Sequence, residues 1–181
     1  MAIDLAVTFW INGFVGRWPM LDVLGMFAAT GLLFVLVALV VLVLVRTLPA
    51  ERALISVELI GTLVIAYAVS QFIGVVAFRE RPFVQHPVRQ LIVKDVNEKS
   101  FPSDHATLAF AIAIPAAAVI RRRWAQVLLL ASAAAVGVAR VFVGVHYVSD
   151  VIAGALLALV VWWFVQRGVR RWWQAKSTPH P

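Results

Sequence analysis

The chain has 181 residues, 62% hydrophobic and only 14% charged, with a mean hydropathy of +0.92. An ordinary soluble domain is roughly half apolar and a quarter charged, so these values exclude one and point to a single membrane domain. The net charge of +7 fits positive-inside topology and attraction to anionic lipid, so no nucleic-acid partner is expected; the absence of cysteine excludes disulfides and thiolate metal sites.

In residues 1–20, Ile3, Val7, Trp10 and Phe14 recur at helical spacing, which predicts an amphipathic helix lying in the membrane interface. Asp4 stands where a secretory leader would be basic, and no small-residue cleavage site precedes Arg17-Trp18-Pro19, so the segment does not read as a signal peptide. A first span is expected over residues 23–45, uncharged and long enough for a hydrocarbon core of about 30 Å. After a turn containing Pro49, a second span covers 53–78. Its one charge, Glu58, lies six residues from Arg52 and is expected to reach water at that end, pairing with a polar group of a neighbouring helix being the alternative. A polar stretch with Pro82, Pro87 and Pro102 follows, then apolar runs at 106–120, 124–139 and 151–165.

The expected fold class is therefore an all-α integral membrane protein. It is a helical bundle of about five transmembrane helices plus the interfacial helix, one domain over 1–181 with the bundle at 21–166 and a basic tail at 167–181. Trp162, Trp163, Trp172 and Trp173 fit an aromatic belt, while His86 and His180 read as surface residues without a role.

The last three runs hold only 15 or 16 residues, and a span needs about 20. Their helices must recruit polar neighbours, which puts Ser103 to His105, Arg140 and His146 to Asp150 at the headgroup level of one leaflet. One side of this arrangement carries nine basic residues (Arg46, Arg52, Arg121, Arg122, Arg123, Arg167, Arg170, Arg171, Lys176) and the other seven (Arg17, Arg79, Arg81, Arg89, Lys94, Lys99, Arg140). Arg81 and Arg140 belong to the candidate site, and the compact triple arginine and basic tail are the stronger topogenic signals. The tail is thus expected in the cytoplasm and the site on the extracytoplasmic face.

Charged side chains at membrane depth cost roughly 2.5–3.5 kcal/mol each on insertion scales, so they are rarely kept there without a task. His146 and Asp150 are four apart and share a helix face; a carboxylate that accepts one ring N–H leaves the other nitrogen free as a nucleophile. Pro102-Ser103 reads as a helix start whose free N–H groups bind phosphate, with His105 in the first turn as proton donor. Arg81 and Arg140 supply cations for the same phosphate. Singly, Ser103 is a cap, the His/Asp pair a structural hydrogen bond and Arg140 a snorkelling side chain. Jointly, at the same ends of four spans, they read as a site. His105, His146, Asp104 and Asp150 form a conceivable metal set, but the two arginines disfavour a divalent ion and can do its electrostatic work. No metal and no cofactor is expected.

Arg81-Pro82, Pro102-Ser103-Asp104-His105 and Arg140-x5-His146-x3-Asp150 resemble the three signature motifs of the type 2 phosphatidic acid phosphatase superfamily, whose usual forms are K-x6-R-P, P-S-G-H and S-R-x5-H-x3-D. Phe101-Pro102-Ser103-Asp104-His105, with aspartate for glycine, looks like the bacterial undecaprenyl-diphosphatase (bacitracin-resistance) branch. The motif lysine falls on Gly74 and the motif serine on Ala139. Arg79 is the expected substitute for the lysine, and Asp104 joins the phosphate-binding set.

The resemblance implies that His146 attacks the terminal phosphorus, that Asp150 stabilises the imidazolium, and that His105 protonates the leaving group and then activates water. Arg81, Arg140, Ser103, Arg79 and Asp104 would surround the phosphate. It further implies undecaprenyl diphosphate as substrate; phosphatidate, lysophosphatidate or phosphatidylglycerol phosphate would use the same chemistry. A non-catalytic lipid-phosphate binder or transporter is the alternative from another class. Gly74 and Ala139 favour it as lost contacts; His105, His146 and Asp150 oppose it, since binding alone needs no nucleophile.

Overall fold

The computed structural model describes residues 2–46 and 49–177, all of whose regular elements are helical: α1 (Ala2–Asn12), α2 (Pro19–Thr30), α3 (Leu32–Arg46), α4 (Pro49–Val76), α5 (Pro82–Gln85), α6 (Asp104–Val119), α7 (Arg123–Phe142) and α8 (Val148–Ser177). His180 lies outside these residues. Among the described residues three helices are long and apolar enough to cross a membrane: α4, α7 and α8. The expected first span is not one helix. It breaks at Thr30-Gly31 into α2 and α3, bent by 52°, and counts as a fourth span only if the pair is taken together. At the break the Thr30 hydroxyl back-bonds to the Met26 carbonyl at 2.7 Å, a recognised cause of helix bending, and the glycine that follows tolerates the turn.

The expected third span, α6, has 16 residues, about 24 Å at ~1.5 Å rise each, short of a ~30 Å hydrocarbon core. It can be short because protein surrounds it. Ala106, Thr107, Ala109, Ala111, Ala113, Ala116 and Ala117 are all buried, so α6 is a central post rather than a lipid-facing span. One side of it packs with Leu36, Val40, Leu129, Ala133 and Val136 of α3 and α7; another meets Ala66 of α4 and Ala158 and Val161 of α8. Such small residues let helix backbones approach closely. A Cβ on Gly154 of α8 would lie 2.8 Å from Thr107 Oγ1 and 2.9 Å from the Ser103 carbonyl, so the crossing of α6 and α8 beside the candidate site requires glycine.

Chain direction then gathers the motifs. Helix α4 runs toward one end of the bundle, α6 away from it, α7 back and α8 away again. The C-terminal ends of α4 and α7 and the N-terminal ends of α6 and α8 therefore meet. At the opposite end Glu58 is not solvated as expected. It is 2% exposed and its Oε1 accepts from Arg170 Nε at 3.0 Å, because α8 is much longer than its apolar run and carries Arg170 back past α4.

Helix α1 keeps its apolar face outward, with Ile3 82% and Trp10 68% exposed as an interfacial helix requires. Its other face is a polar stripe at i, i+4 and i+8, Asp4, Thr8 and Asn12, laid over the junction of α7 and α8. That stripe satisfies helix-terminal groups that would otherwise be orphaned. Asp4 accepts from Ser149 N at 2.9 Å and Ser149 Oγ at 2.6 Å, and Thr8 Oγ1 accepts from Val148 N at 3.3 Å. Asn12 Nδ2 donates to the carbonyls of Phe142 (2.8 Å) and Arg89 (2.9 Å), and its Oδ1 accepts from Arg89 N at 2.8 Å. Although burial alone would raise it, the hydrogen bonds from Ser149 and Arg79 hold the Asp4 carboxyl below the usual carboxylate range.

Asn12→Ala strands three backbone groups at this junction and should destabilise the protein by about 1–3 kcal/mol. Trp10→Ala, on the outward face of the same helix, should stay within about 0.5 kcal/mol. Thermal unfolding in detergent reads the difference.

Candidate active site

Where the four helix ends meet, a cavity of about 480 Å³ opens between α4, α6, α7 and the segment from 86 to 103. Its wall holds His105 and His146, the cations Arg81, Lys94, Lys99 and Arg140, the carboxylates Glu98 and Asp104, and Tyr67, Gln71 and Leu108. Four cations against two carboxylates leave the wall positive, as a phosphate site requires. Five of the sequence-predicted residues are thus brought together. The other three, Ser103, Arg79 and Asp150, lie behind the wall.

His146 sits in the turn between α7 and α8, where Gly144 at φ +81° reverses the chain in a left-handed conformation that glycine adopts without strain. The ring is 2% exposed, and its Nδ1 lies 2.9 Å from the Ser100 carbonyl oxygen. A carbonyl only accepts, so Nδ1 carries the proton and Nε2 presents a lone pair. Arg81 Nη1, itself bonded to the Val145 carbonyl at 3.0 Å, lies 3.3 Å from that Nε2. Burial is the largest influence on the ring and outweighs the nearby Asp150 carboxylate. With the positive charges of Arg140 and Arg81 it pushes His146 down to about 4 from the ordinary value near 6.5. The imidazole is neutral at physiological pH.

The orienting contact differs from the expected one. Asp150 Oδ2 is 3.6 Å from His146 Nδ1, beyond hydrogen-bond reach, and the Ser100 carbonyl takes the proton instead. The aspartate is committed elsewhere: Oδ2 accepts from Ser100 Oγ at 2.6 Å and Tyr147 N at 2.9 Å, and Oδ1 from Arg79 Nη1 at 2.8 Å. It therefore fixes Ser100 and the His146 turn, and acts on the imidazole through charge.

Arg79 is placed differently from expectation. Its guanidinium stacks on Tyr147 at 3.7 Å from the ring centroid and binds Asp150, Ser149 and Asp4, at 2.8, 2.7 and 3.0 Å, so it buttresses the His146 turn from behind the cavity wall. Asp104 binds cations rather than anions, its Oδ1 accepting from Lys99 Nζ (2.7 Å), Ser70 Oγ (2.7 Å) and Gln71 Nε2 (3.0 Å). Ser103 holds the N-cap position of α6, but its hydroxyl makes no capping bond and is buried without a partner.

Buried donors without partners cluster on this wall. Arg140 is 1% exposed, and the one bond its guanidinium makes among the described residues is Nη1 to the Ala29 carbonyl, at 3.3 Å. Nε of Arg140 and Nε of Arg81 have none. Burying a cation so sparsely bonded is costly, and an anion in the cavity is what would offset it. Among the described residues no three of His, Asp and Glu converge as a metal-ligand set.

Sequence reasoning missed Ser100, Lys99, Lys94 and Glu98, which lie in an irregular segment with no periodicity to mark them. It also missed Asp4, whose i+4 and i+8 partners Thr8 and Asn12 were the available signal. His86 is not a plain surface residue either: its ring packs edge-on against Phe9 and Tyr147.

Similarity to known proteins follows the same geometry. The bacitracin transport permease protein BcrC of Bacillus licheniformis is 32% identical over 160 residues, 85% of this chain and 76% of that protein. The undecaprenyl-diphosphatase BcrC of Bacillus subtilis (strain 168) is 38% identical over 93 residues, 51% of this chain and 47% of its own length. The crystal structure of Aquifex aeolicus LpxE superposes with a TM-score of 0.77 at 24% identity, covering 92% of this chain and 96% of that one, a likeness of fold. The profile of the PAP2 superfamily matches residues 55–174, from α4 through the His146 turn and almost to the end of α8, and the chain is a membrane-embedded phosphatase of that superfamily.

Proposed function

We propose that the protein removes the terminal phosphate of a prenyl diphosphate, undecaprenyl diphosphate being the specific substrate, on the extracytoplasmic face of a bacterial cytoplasmic membrane. The observation that carries this reading is His146 Nε2, a neutral nitrogen lone pair in a wall that holds two buried arginines, Arg140 with one long bond and Arg81 paired with Glu98 at 2.9 Å. In-line attack forms the N–P bond as the bond from phosphorus to the bridging oxygen breaks. His105 protonates that oxygen, and the lipid monophosphate leaves. The same His105 then takes a proton from water, whose oxygen attacks the phosphohistidine and releases inorganic phosphate. Arg81 and Arg140 neutralise the equatorial oxygens throughout, so the residues suffice without a metal.

A lipid substrate is supported by a second cavity. An apolar groove of about 330 Å³ runs between α3, α4 and α6, lined by residues such as Phe34, Val37, Leu59 and Ile112. Leu108 belongs to both this groove and the catalytic cavity, so a chain leaving the phosphate site finds apolar wall at once. The orientation is supported by the charge at the opposite end, where Arg46, Arg52 and Arg121 to Arg123 collect and where α8 carries Arg170 and Arg171. The relatives' names favour the diphosphate among lipid phosphates.

The decisive experiment is phosphate release from undecaprenyl diphosphate by purified protein in detergent with EDTA. Wild type should retain release and His146→Ala should lose it. Release from phosphatidate instead would keep the mechanism and move the substrate, and release surviving in His146→Ala would remove His146 from the centre. His105→Ala should slow turnover by about 10²–10⁴-fold for phosphatidate, whose alkoxide needs a proton to leave. The loss should be smaller for a diphosphate, whose leaving phosphate is already good. Equal losses would count against His105 as the acid.

The tautomer and proton affinity of His146 are directly observable by histidine-selective 15N NMR in detergent, with the signal assigned by its loss in His146→Gln. Because its value is lowered to about 4, the ring should stay neutral and Nδ1-protonated as pH falls from 8 to 5, taking up its second proton only near 4. Titration near 6.5, or an Nε2-protonated ring, would contradict the arrangement.

A further inference from the structure

Position 74, where the usual first motif carries lysine, is glycine, and the structure shows what that glycine accommodates. A Cβ built on Gly74 would overlap Cδ of Lys99 and stand 2.7 Å from its Cε. The stem of Lys99, arriving from the segment before α6, lies directly on the bare backbone of α4. Lys99 then joins the cavity wall that Arg81, Arg140 and His146 also line. There Nζ donates to Asp104 Oδ1 at 2.7 Å, to the Pro102 carbonyl at 3.0 Å and to Ser70 Oγ at 3.3 Å, with the side chain 13% exposed.

We propose that Lys99 is a substrate-phosphate ligand of this enzyme, a cation delivered from the loop across Gly74 rather than from helix α4 itself. The inference rests on the phosphate-site reading above and deepens it. The three Nζ contacts are unequal, and that makes the role possible. The long one, to Ser70, is made to a hydroxyl whose own proton goes to Asp104 at 2.7 Å, so a phosphate oxygen can take its place at little loss. Asp104 and the Pro102 carbonyl meanwhile keep the ammonium aimed. Asp104 is in turn fixed by Gln71 and Ser70, which explains an acidic residue on an anion-binding wall: it orients a cation. Gly74 and Asp104, two departures from the usual motifs, become one device, the glycine seating the lysine stem and the aspartate holding its head.

The rival account is that Lys99 merely neutralises Asp104, and variants separate the two. Inorganic pyrophosphate binding to the full-length protein in detergent, by titration calorimetry, is measured beside kcat and KM on the lipid diphosphate, with thermal unfolding confirming that each variant is folded. Lys99→Ala should weaken pyrophosphate binding and raise KM by tenfold or more. Lys99→Ala/Asp104→Asn should stay weak, whereas Lys99→Gly/Gly74→Lys should recover to within a few-fold of wild type, since a side chain rooted at 74 starts where the Lys99 stem now passes. Gly74→Ala, which displaces that stem while keeping the lysine, should weaken binding as well, and serves if Lys99→Ala does not fold. Unchanged binding in Lys99→Ala, or full recovery on adding Asp104→Asn alone, overturns the proposal. If the wild type turned over no lipid diphosphate, the functional reading would fail, and the pyrophosphate titrations would still decide the role of Lys99.

Discussion

A fully buried carboxylate, Asp150, is the constraint on which this end of the molecule is organised. An ionised group at such a site is tolerated only when its lone pairs are taken, and here the donors come from three distant parts of the chain. Arg79 follows α4, Ser100 precedes α6, and Tyr147 N opens α8. Each donor has a second task. Ser100 offers its carbonyl to His146, Arg79 reaches Asp4 on α1, and Tyr147 lies under the Arg79 guanidinium. Satisfying one carboxylate thus sets the tautomer of His146 and docks the N-terminal helix together.

The same bookkeeping of donors separates arginines that look alike in sequence. Arg79 and Arg140 both sit at a helix end beside the motifs. Arg79 is bonded to three side chains and stacked, whereas Arg140 is more deeply buried and holds one long bond to a carbonyl. Arg79 is thus held by the protein on every side, whereas Arg140 lines the cavity with its Nε unpartnered among the described residues. Arg81 stands between the two, bonded to Glu98 at 2.9 Å and to the Val145 carbonyl at 3.0 Å but with its Nε unpartnered.

What the sequence made legible was whatever is written in spacing. The i, i+4 relation of His146 and Asp150, the lengths of the apolar runs and the placement of arginines at their ends gather His105, His146, Arg81 and Arg140 at one end of the bundle, and the four line one cavity there. Contacts across irregular chain carry no period, so Ser100 as the histidine's acceptor and Lys99 as a wall cation were invisible. Span lengths were less legible than span positions. Residues 23–45 are uniformly apolar yet bend at Thr30-Gly31, and α6 is shorter than its neighbours and enclosed by them. In α1 the eye goes to Ile3, Val7 and Trp10, but the informative residues are the polar ones between them.

The enclosed α6 also explains how a site for a charged headgroup can adjoin a groove for a hydrocarbon tail. A short helix starting at the cavity presents its positive N-terminal end and His105 to the phosphate, while three residues on, Leu108 already belongs to the apolar groove. One helical turn therefore carries the change from a wall of cations to a wall of aliphatic side chains. A soluble phosphate ester would use the first and gain nothing from the second, so the geometry favours a substrate whose phosphate is tethered to a long apolar chain. The groove continues from there along α3 and α4, where Val41, Leu44 and Leu59 line it.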